Sequence, residues 1–264
     1  MIRALLGLIT LAAITIWCGF RIMTGRLLGR PDVHGGLYHR VLLHWSGAMC
    51  KVTGVKLEVH GQENVSGIAP RVFVANHVSW FDIFALGQLV PHQKFVAKSE
   101  LRKIPFFGWI ADGWGIVWVE RDHLRNSLAS YEKAGEQIRA GVSVAVFPEG
   151  TRGDEYPLRA FKKGPFVLAV ASQVPVVPTL IYGSRQVHAR GTFRVHPGTI
   201  HVHFLPPIPT AGLQYDDREE LARGSRDAIA ACLEREYGIK SIPSRRVRPV
   251  VGVSSSAPDV LRSN

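Results

Sequence analysis

Residues that could form covalent or metal cross-links are scarce in this sequence. It has only three cysteines, Cys18, Cys50 and Cys232, which lie far apart. A small, odd number of cysteines argues against a disulfide framework and favours a reducing compartment. There is no CxxC pair, and the 11 histidines include no HExxH motif, so we expect no zinc site from these patterns. No segment recurs at a fixed period, so a repeat architecture is not indicated.

Acidic residues are also few. The chain has 21 Asp and Glu against 32 Lys and Arg, giving a net charge of +11. Such an excess favours an anionic partner: nucleic acid, anionic lipid headgroups or a phosphorylated substrate. Because no nucleic-acid recognition motif is present and the basic residues are not interleaved with stacking aromatics, we expect no nucleic-acid partner.

An uncharged run near the start of the sequence is short for a membrane span. It extends from Ala4 to Phe20 between Arg3 and Arg21. As a helix it would be roughly 26 Å long, against about 30 Å of hydrocarbon core. A short spanning helix, a helix in one leaflet, a signal peptide and a buried soluble helix all remain open, although no clear small-x-small cleavage site follows. Arg21, Arg26 and Arg30 outnumber Arg3, which would place the rest of the chain in the cytoplasm.

The sequence divides into three segments. We expect a membrane-anchoring helical segment over residues 1–50, an α/β domain over residues 51–240 and a basic, mostly disordered tail over residues 241–264. Within the first segment, Leu37 to Met49 has helical periodicity, which suits either a membrane-surface helix or a core-packing helix.

Short β-branched runs predict strands in the α/β domain. They are VKLEVHG, RVFVAN, KFVAK, GIVWVER, VSVAVFPEG, VPVVPTLIYG and IHVHF. Helical patterns lie between some of them, notably at residues 126–140, and another follows the last at residues 216–236. This alternation predicts a mixed, mainly parallel sheet flanked by helices.

The stretch VFVANHVSWFDIF, residues 72–84, interrupts an apolar run with polar residues. His77 and Asp82 would be about 140° out of phase on one helix. They can meet if His77 follows the strand and Asp82 lies in the first helical turn, with Ser79 as N-cap. A neutral imidazole can then take a proton from an alcohol while the carboxylate fixes its tautomer. A purely structural capping box is the plain alternative, and an esterase using Ser79 is another, although the GxSxG motif is absent.

A second polar motif follows the strand that ends at FPEGTR, residues 147–152. Gly150 permits a tight turn, and Arg152 offers a planar group for phosphate. Glu149 could accept a hydrogen bond from a hydroxyl or anchor Arg152. A surface turn with an ion pair between Glu149 and Arg152 would explain the same residues.

These motifs together resemble the membrane-associated glycerolipid acyltransferases, especially the bacterial 1-acylglycerol-3-phosphate O-acyltransferases. The similarity lies in NHxSxxD at residues 76–82, GIVWVER at 115–121, FPEGTR at 147–152 and VPVVP at 174–178. Trp118 stands where this family usually has Phe. The four blocks occur in the family's order, and the resemblance covers residues 52–209.

The resemblance implies a reaction. His77 would act as general base, oriented by Asp82, on the sn-2 hydroxyl of 1-acylglycerol-3-phosphate. The hydroxyl would attack acyl-CoA or acyl carrier protein directly and give phosphatidic acid. No metal or organic cofactor is expected, because a thioester is already activated. Alternative acceptors are a lyso-ornithine lipid, glycerol 3-phosphate or another lysophospholipid, and a lipid esterase is a further alternative.

The resemblance also assigns binding roles and a location. Arg121 and Arg152 would bind the lysolipid phosphate, with Lys98 as a third group that could equally face anionic lipid. The remaining residues would shape the acceptor pocket or hold the corner: Asn76, Ser79, Glu149, Gly150 and Thr151. We expect the protein at the cytoplasmic membrane with its catalytic domain facing the cytoplasm, where anionic headgroups attract its basic surface.

Overall fold

The computed structural model describes residues 2–67, 69–90, 92–104, 107–119, 135–136 and 138–242. It begins with two helices that pack on each other, α1 (Ile2–Leu27) and α2 (Leu37–Thr53). The indole N–H of Trp45 donates to the Thr15 hydroxyl at 2.9 Å and links them. One face of α2, including Val41 and Met49, is buried, so the structure favours the core-packing alternative for this helix.

In the described part of the chain, seven strands form a single sheet in the order β1-β7-β6-β2-β5-β3-β4. All described pairings are parallel except that of β6 with β7. The predicted mixed, mainly parallel sheet flanked by helices is therefore confirmed. The strands are β1 (Val55–His60), β2 (Val72–Ala75), β3 (Gln93–Lys98), β4 (Val117–Val119), β5 (Ser143–Val146), β6 (Val176–Tyr182) and β7 (Gly198–Phe204).

Five further helices are described: α3 (Phe81–Leu89), α4 (Phe107–Trp114), α5 (Gly164–Ser172), α6 (Ser184–Val187) and α7 (Arg218–Tyr237). The helix predicted at residues 216–236 corresponds to α7. Most of the one predicted at 126–140 lies outside the described residues.

The central strands have apolar residues on both faces. Phe73 and Ile181 pack toward α2 and α3, whereas Val72 and Val74 pack toward α5 and α7. This two-sided burial explains why β2 reads as a continuous apolar run, as is usual for parallel strands covered on both faces.

The sheet topology places three strand ends together. Strand β2 lies between β5 and β6 and is parallel to both, so the carboxyl ends of the three strands at Ala75, Val146 and Tyr182 share one edge. Ligands of open α/β sheets bind at this edge.

Among the helices of the described residues, none combines the length and the apolar character needed to cross a bilayer. The membrane association of the N-terminal segment therefore stays a prediction.

Candidate active site

The corner after β2 is fixed by Asn76, which is fully buried. Its side-chain oxygen accepts a hydrogen bond from the Ile181 N–H at 2.7 Å, and its amide donates to the Ile181 carbonyl at 2.9 Å. The side chain thus reproduces both hydrogen bonds of a strand neighbour. The main chain can leave the sheet here without exposing unsatisfied groups of β6.

His77 and Asp82 meet at this corner. His77 Nδ1 lies 2.8 Å from Asp82 Oδ2, and Asp82 is fully buried in the first turn of α3. The same oxygen accepts hydrogen bonds from the N–H groups of Val78, at 2.8 Å, and Ser79, at 2.9 Å. Because Oδ2 is the acceptor, Nδ1 carries the proton and the lone pair of a neutral imidazole is on Nε2. Nε2 has no hydrogen-bond partner within the described part of the chain.

Ser79 differs slightly from its predicted role as N-cap. Helix α3 begins one residue later than expected, and Trp80 occupies the N-cap position. The Ser79 hydroxyl accepts from the Phe81 N–H at 3.2 Å and donates to the His188 carbonyl at 2.8 Å. The Ser79 hydroxyl thus still accepts from the first N–H of α3, while Asp82 accepts from the two N–H groups that precede the helix. Since its hydroxyl donates to a backbone carbonyl, Ser79 is not positioned as a nucleophile activated by His77.

The FPEGTR loop packs directly against the corner. The Phe147 ring stacks on His77 with centroids 4.0 Å apart and planes 15° apart. Glu149 accepts a hydrogen bond from the His77 N–H at 3.1 Å, and the Gly153 N–H donates to the His77 carbonyl at 2.7 Å. Gly150 has φ of +82°, as the predicted tight turn requires. The two motifs thus form one site around a single imidazole.

Glu149 does not anchor Arg152. Its side chain is only 3% exposed and pairs with Arg159, whose Nε donates to Oε2 at 2.9 Å. Arg159 also donates to the hydroxyl and carbonyl of Thr151, which is exposed. The alternative of an exposed Glu149–Arg152 ion pair is therefore wrong, because Glu149 turns inward to the His77 backbone.

Arg152 instead faces an aromatic ring and another cation. Its guanidinium lies 4.5 Å from the centroid of Trp80. Arg190 donates to the Arg152 carbonyl at 3.1 Å and approaches Asp154 at 3.4 Å. Burial, and then the nearby Arg190 charge, lower the pKa of Arg152. Within the described residues no acidic side chain forms an ion pair with Arg152, so its guanidinium group can bind an anion, with Arg190, itself paired with Asp154, beside it.

Two predicted phosphate-binding residues cannot be compared with this geometry. Arg121 lies outside the described residues. Lys98 is the last residue of β3, and its side chain lies outside the description.

Five residues of the site had no assigned role from the sequence: Trp80, Phe147, Arg159, His188 and Arg190. Phe147 and Trp80 lie inside the two sequence motifs of the site, so their positions in the sequence could have indicated that they belong to it. Arg159, His188 and Arg190 come from coil segments with no periodic pattern, and only the folded chain places them here.

The comparisons with known proteins show the family of this chain. The family model described as Acyltransferase matches residues 56–182. A lyso-ornithine lipid O-acyltransferase of Pseudomonas aeruginosa is 32% identical over 87% of this chain and 90% of its own length. A putative 1-acyl-sn-glycerol-3-phosphate acyltransferase of Caenorhabditis elegans is 34% identical over 69% of this chain, which covers 66% of that relative. The chain therefore belongs to the acyltransferase family.

A solved structure extends the agreement to the fold. The crystal structure of the 1-acyl-sn-glycerophosphate (LPA) acyltransferase, PlsC, from Thermotoga maritima superposes with a TM-score of 0.72 at 26% identity. It covers 91% of this chain and 99% of the Thermotoga chain. The predicted family and enzyme class are confirmed, and these relatives support the predicted 1-acylglycerol-3-phosphate acyltransferase activity. The lyso-ornithine alternative is also represented among them.

Proposed function

We propose that the protein transfers a fatty acyl group from a thioester to the sn-2 hydroxyl of 1-acylglycerol-3-phosphate, with His77 as general base. The observation that carries this proposal is the 2.8 Å contact between His77 Nδ1 and buried Asp82, which leaves Nε2 free to accept a proton. The family relationship supplies the reaction class.

The chemistry follows from this arrangement. Nε2 takes the proton of the acceptor hydroxyl as its oxygen attacks the thioester carbonyl. Asp82 stabilises the imidazolium that forms. When the tetrahedral intermediate collapses, the carbon–sulfur bond breaks and the imidazolium returns its proton to the thiolate. The Phe147 ring packs on the face of the His77 imidazole, and the Glu149 carboxylate accepts a hydrogen bond from the His77 backbone N–H. The imidazole is therefore held in place and needs little reorganisation during the reaction.

Arg152 and Arg190 would bind the phosphate of the acceptor. Both are cations within one loop cluster beside the corner, and Arg152 lacks an acidic partner in the described region. Guanidinium groups bind phosphate by paired N–H bonds, so the acceptor would be oriented as well as attracted. Arg121 and Lys98 remain proposed additional contacts.

The protein would act at the cytoplasmic face of a membrane. Ile16, Trp17 and Phe20 on α1, and Trp109 on α4, are large apolar side chains exposed by more than half. An exposed apolar surface beside basic residues suits an anionic bilayer, which also holds the lysolipid. The acyl donor would be acyl-CoA or acyl carrier protein.

The decisive experiment gives detergent-solubilised protein radiolabelled lysophosphatidic acid and acyl-CoA, and measures phosphatidic acid. Wild type should form product, His77→Ala should form it about 10²–10⁴-fold more slowly, and His44→Ala, at an exposed histidine on α2, should match wild type. Equal product from His77→Ala would refute His77 as the base. No product from a folded wild type would refute this pair of substrates.

A lyso-ornithine lipid is the second candidate acceptor, because the Pseudomonas relative spans nearly the whole chain. The same assay with both lysolipids separates the two. If kcat/KM for lyso-ornithine lipid is at least tenfold above that for lysophosphatidic acid, lyso-ornithine lipid is the acceptor and the proposal of a phosphate-bearing acceptor is wrong.

A further inference from the structure

Four side chains with metal-binding groups share one face of the outer two strands. Glu58 and His60 are two residues apart on β1, and His201 and His203 are two residues apart on β7. The parallel register sets Glu58 beside His201 and His60 beside His203. Since alternate residues of a strand point to the same side, the four side chains form a square on one face of the sheet.

Among the residues that the structure describes, no helix or strand covers this face at β1, where Glu58 and His60 are exposed. The opposite face of both strands, with residues such as Ile200 and Val202, is buried in the core. On the face in question, Tyr237 at the end of α7 reaches His203 but leaves Glu58 and His60 exposed. The proposed acyl transfer uses none of these residues.

The polar atoms are spaced as metal ligands. His60 Nε2 lies 3.3 Å from His201 Nδ1, and His201 Nδ1 lies 3.3 Å from Glu58 Oε2. One ligand atom of each residue lies within 4.8 Å of the others. Zinc bonds of about 2.0–2.1 Å at tetrahedral angles put neighbouring ligand atoms about 3.3–3.4 Å apart. An ion between the three atoms therefore needs only small side-chain movements.

The neighbouring rings hold the ligands in place. His60 stacks on His203 with centroids 4.2 Å apart and planes 13° apart. His203 Nε2 is in turn 2.8 Å from the Tyr237 hydroxyl. Such outer contacts fix the orientation of ligating imidazoles.

We propose that Glu58, His60 and His201 bind one Zn²⁺ ion, with water completing the coordination. Two imidazoles and a carboxylate suit zinc better than magnesium or calcium, which prefer oxygen ligands alone. The ion would join β1, an edge strand, to β7, and the free energy of unfolding would rise with the logarithm of the ion concentration above its Kd.

The test is isothermal titration of Zn²⁺ into tag-free protein that has been stripped with EDTA and freed of it. We expect one saturable ion per chain. Binding should weaken at least tenfold in His60→Gln, in His201→Gln and in Glu58→Gln, because each removes one ligand. The control His196→Gln, at an exposed histidine before β7, should bind like wild type.

A second readout guards against poorly folded variants. Zn²⁺ should raise the Tm of wild type and of His196→Gln and leave the Tm of His60→Gln unchanged. Mg²⁺ at equal concentration should not raise the Tm of wild type. Absence of saturable binding by wild type would overturn the proposal, and so would an equal loss in His196→Gln. Neither readout depends on acyl transfer.

Discussion

The oxygen Oδ2 of Asp82 receives three hydrogen bonds, from His77 Nδ1 and from the N–H groups of Val78 and Ser79. It therefore fixes both the imidazole and the turn that carries it. In Asp82→Asn the side-chain oxygen can still accept the backbone donors, but no charge balances the imidazolium. We expect kcat to fall by about 10²–10⁴-fold with little change in the KM for the acceptor. Steady-state kinetics in mixed micelles would measure this.

The double variant tests whether His77 and Asp82 act as a unit. If they do, His77→Ala with Asp82→Asn should be no slower than His77→Ala alone, because the effects of such residues are not additive. An unchanged Tm serves as the control for folding. Activity of Asp82→Asn within threefold of wild type would contradict the role given to the carboxylate.

The pair of arginines beside the corner predicts a different kinetic effect. Arg190→Gln removes a cation near Arg152 without touching His77, so it should raise the KM for lysophosphatidic acid about tenfold and leave kcat nearly unchanged. Arg185→Gln is the matched control, since Arg185 is an exposed arginine that donates to the Asp154 carbonyl. If both variants behaved alike, general electrostatic attraction, not a phosphate site, would be the explanation.

At this scale the sequence predicts contacts only within a motif. The spacing of His77 and Asp82 was sufficient to predict their contact, because a strand-to-helix corner brings together residues that are five positions apart. The partner of Glu149 was not predictable. Arg159 follows it by ten residues through irregular chain, and its approach depends on how that whole segment folds back.

At the scale of elements, Asn76 joins the end of β2 to β6 through both backbone groups of Ile181. Asn76→Val keeps a buried side chain of comparable size but leaves that N–H and carbonyl without partners. An unsatisfied buried group costs about 1–3 kcal/mol, so we expect a loss of about 2–4 kcal/mol in the free energy of unfolding. Urea unfolding followed by circular dichroism would measure it.

Asn64→Val is the graded control for Asn76→Val. Asn64 is half-buried and donates one hydrogen bond, to the Phe204 carbonyl at 2.8 Å, so its loss should cost about 1 kcal/mol or less. Equal losses in the free energy of unfolding at the two positions would show that the Asn76 link between β2 and β6 stabilises the fold no more than one half-buried hydrogen bond does.

The strands themselves were predictable, because β-branched runs bounded by turn residues are local signals. Their order was not. The chain places β7 between β1 and β6, and it reverses β7 relative to β6, although nothing in IHVHF specifies a neighbour. Sheet order depends on which faces the helices cover, and this is settled only when the whole domain is assembled.

At the scale of the whole molecule, α1 is held on the domain with an apolar side facing outward. Arg26 donates to the Asp112 carbonyl at 2.8 Å, and a Cβ at Gly19 would lie only 3.1 Å from Ile110, so α1 packs closely on α4. Trp17 and Phe20 stack on each other at 6.3 Å and are exposed by 54% and 63%. A fixed apolar surface can seat the active site at a defined distance from a bilayer.

This arrangement predicts how vesicle binding and catalysis are coupled. In Trp17→Ser with Phe20→Ser we expect at least tenfold weaker cosedimentation with anionic vesicles, because the apolar contact is lost while the net charge of +11 is kept. Tyr215→Ser is the control, since Tyr215 is an exposed aromatic beside α7. Higher salt should weaken binding of every variant through the shared charge.

The same variant distinguishes membrane seating from damage to the site. With the lysolipid acceptor embedded in vesicles, the double substitution should lower the rate in proportion to the loss of binding. With a short-chain acceptor dissolved in water, it should leave kcat/KM unchanged, because His77, Asp82 and the arginine pair are untouched. A loss with both acceptors would mean that α1 supports the fold of the site. No loss with either would mean that the exposed aromatic face does not contact the bilayer.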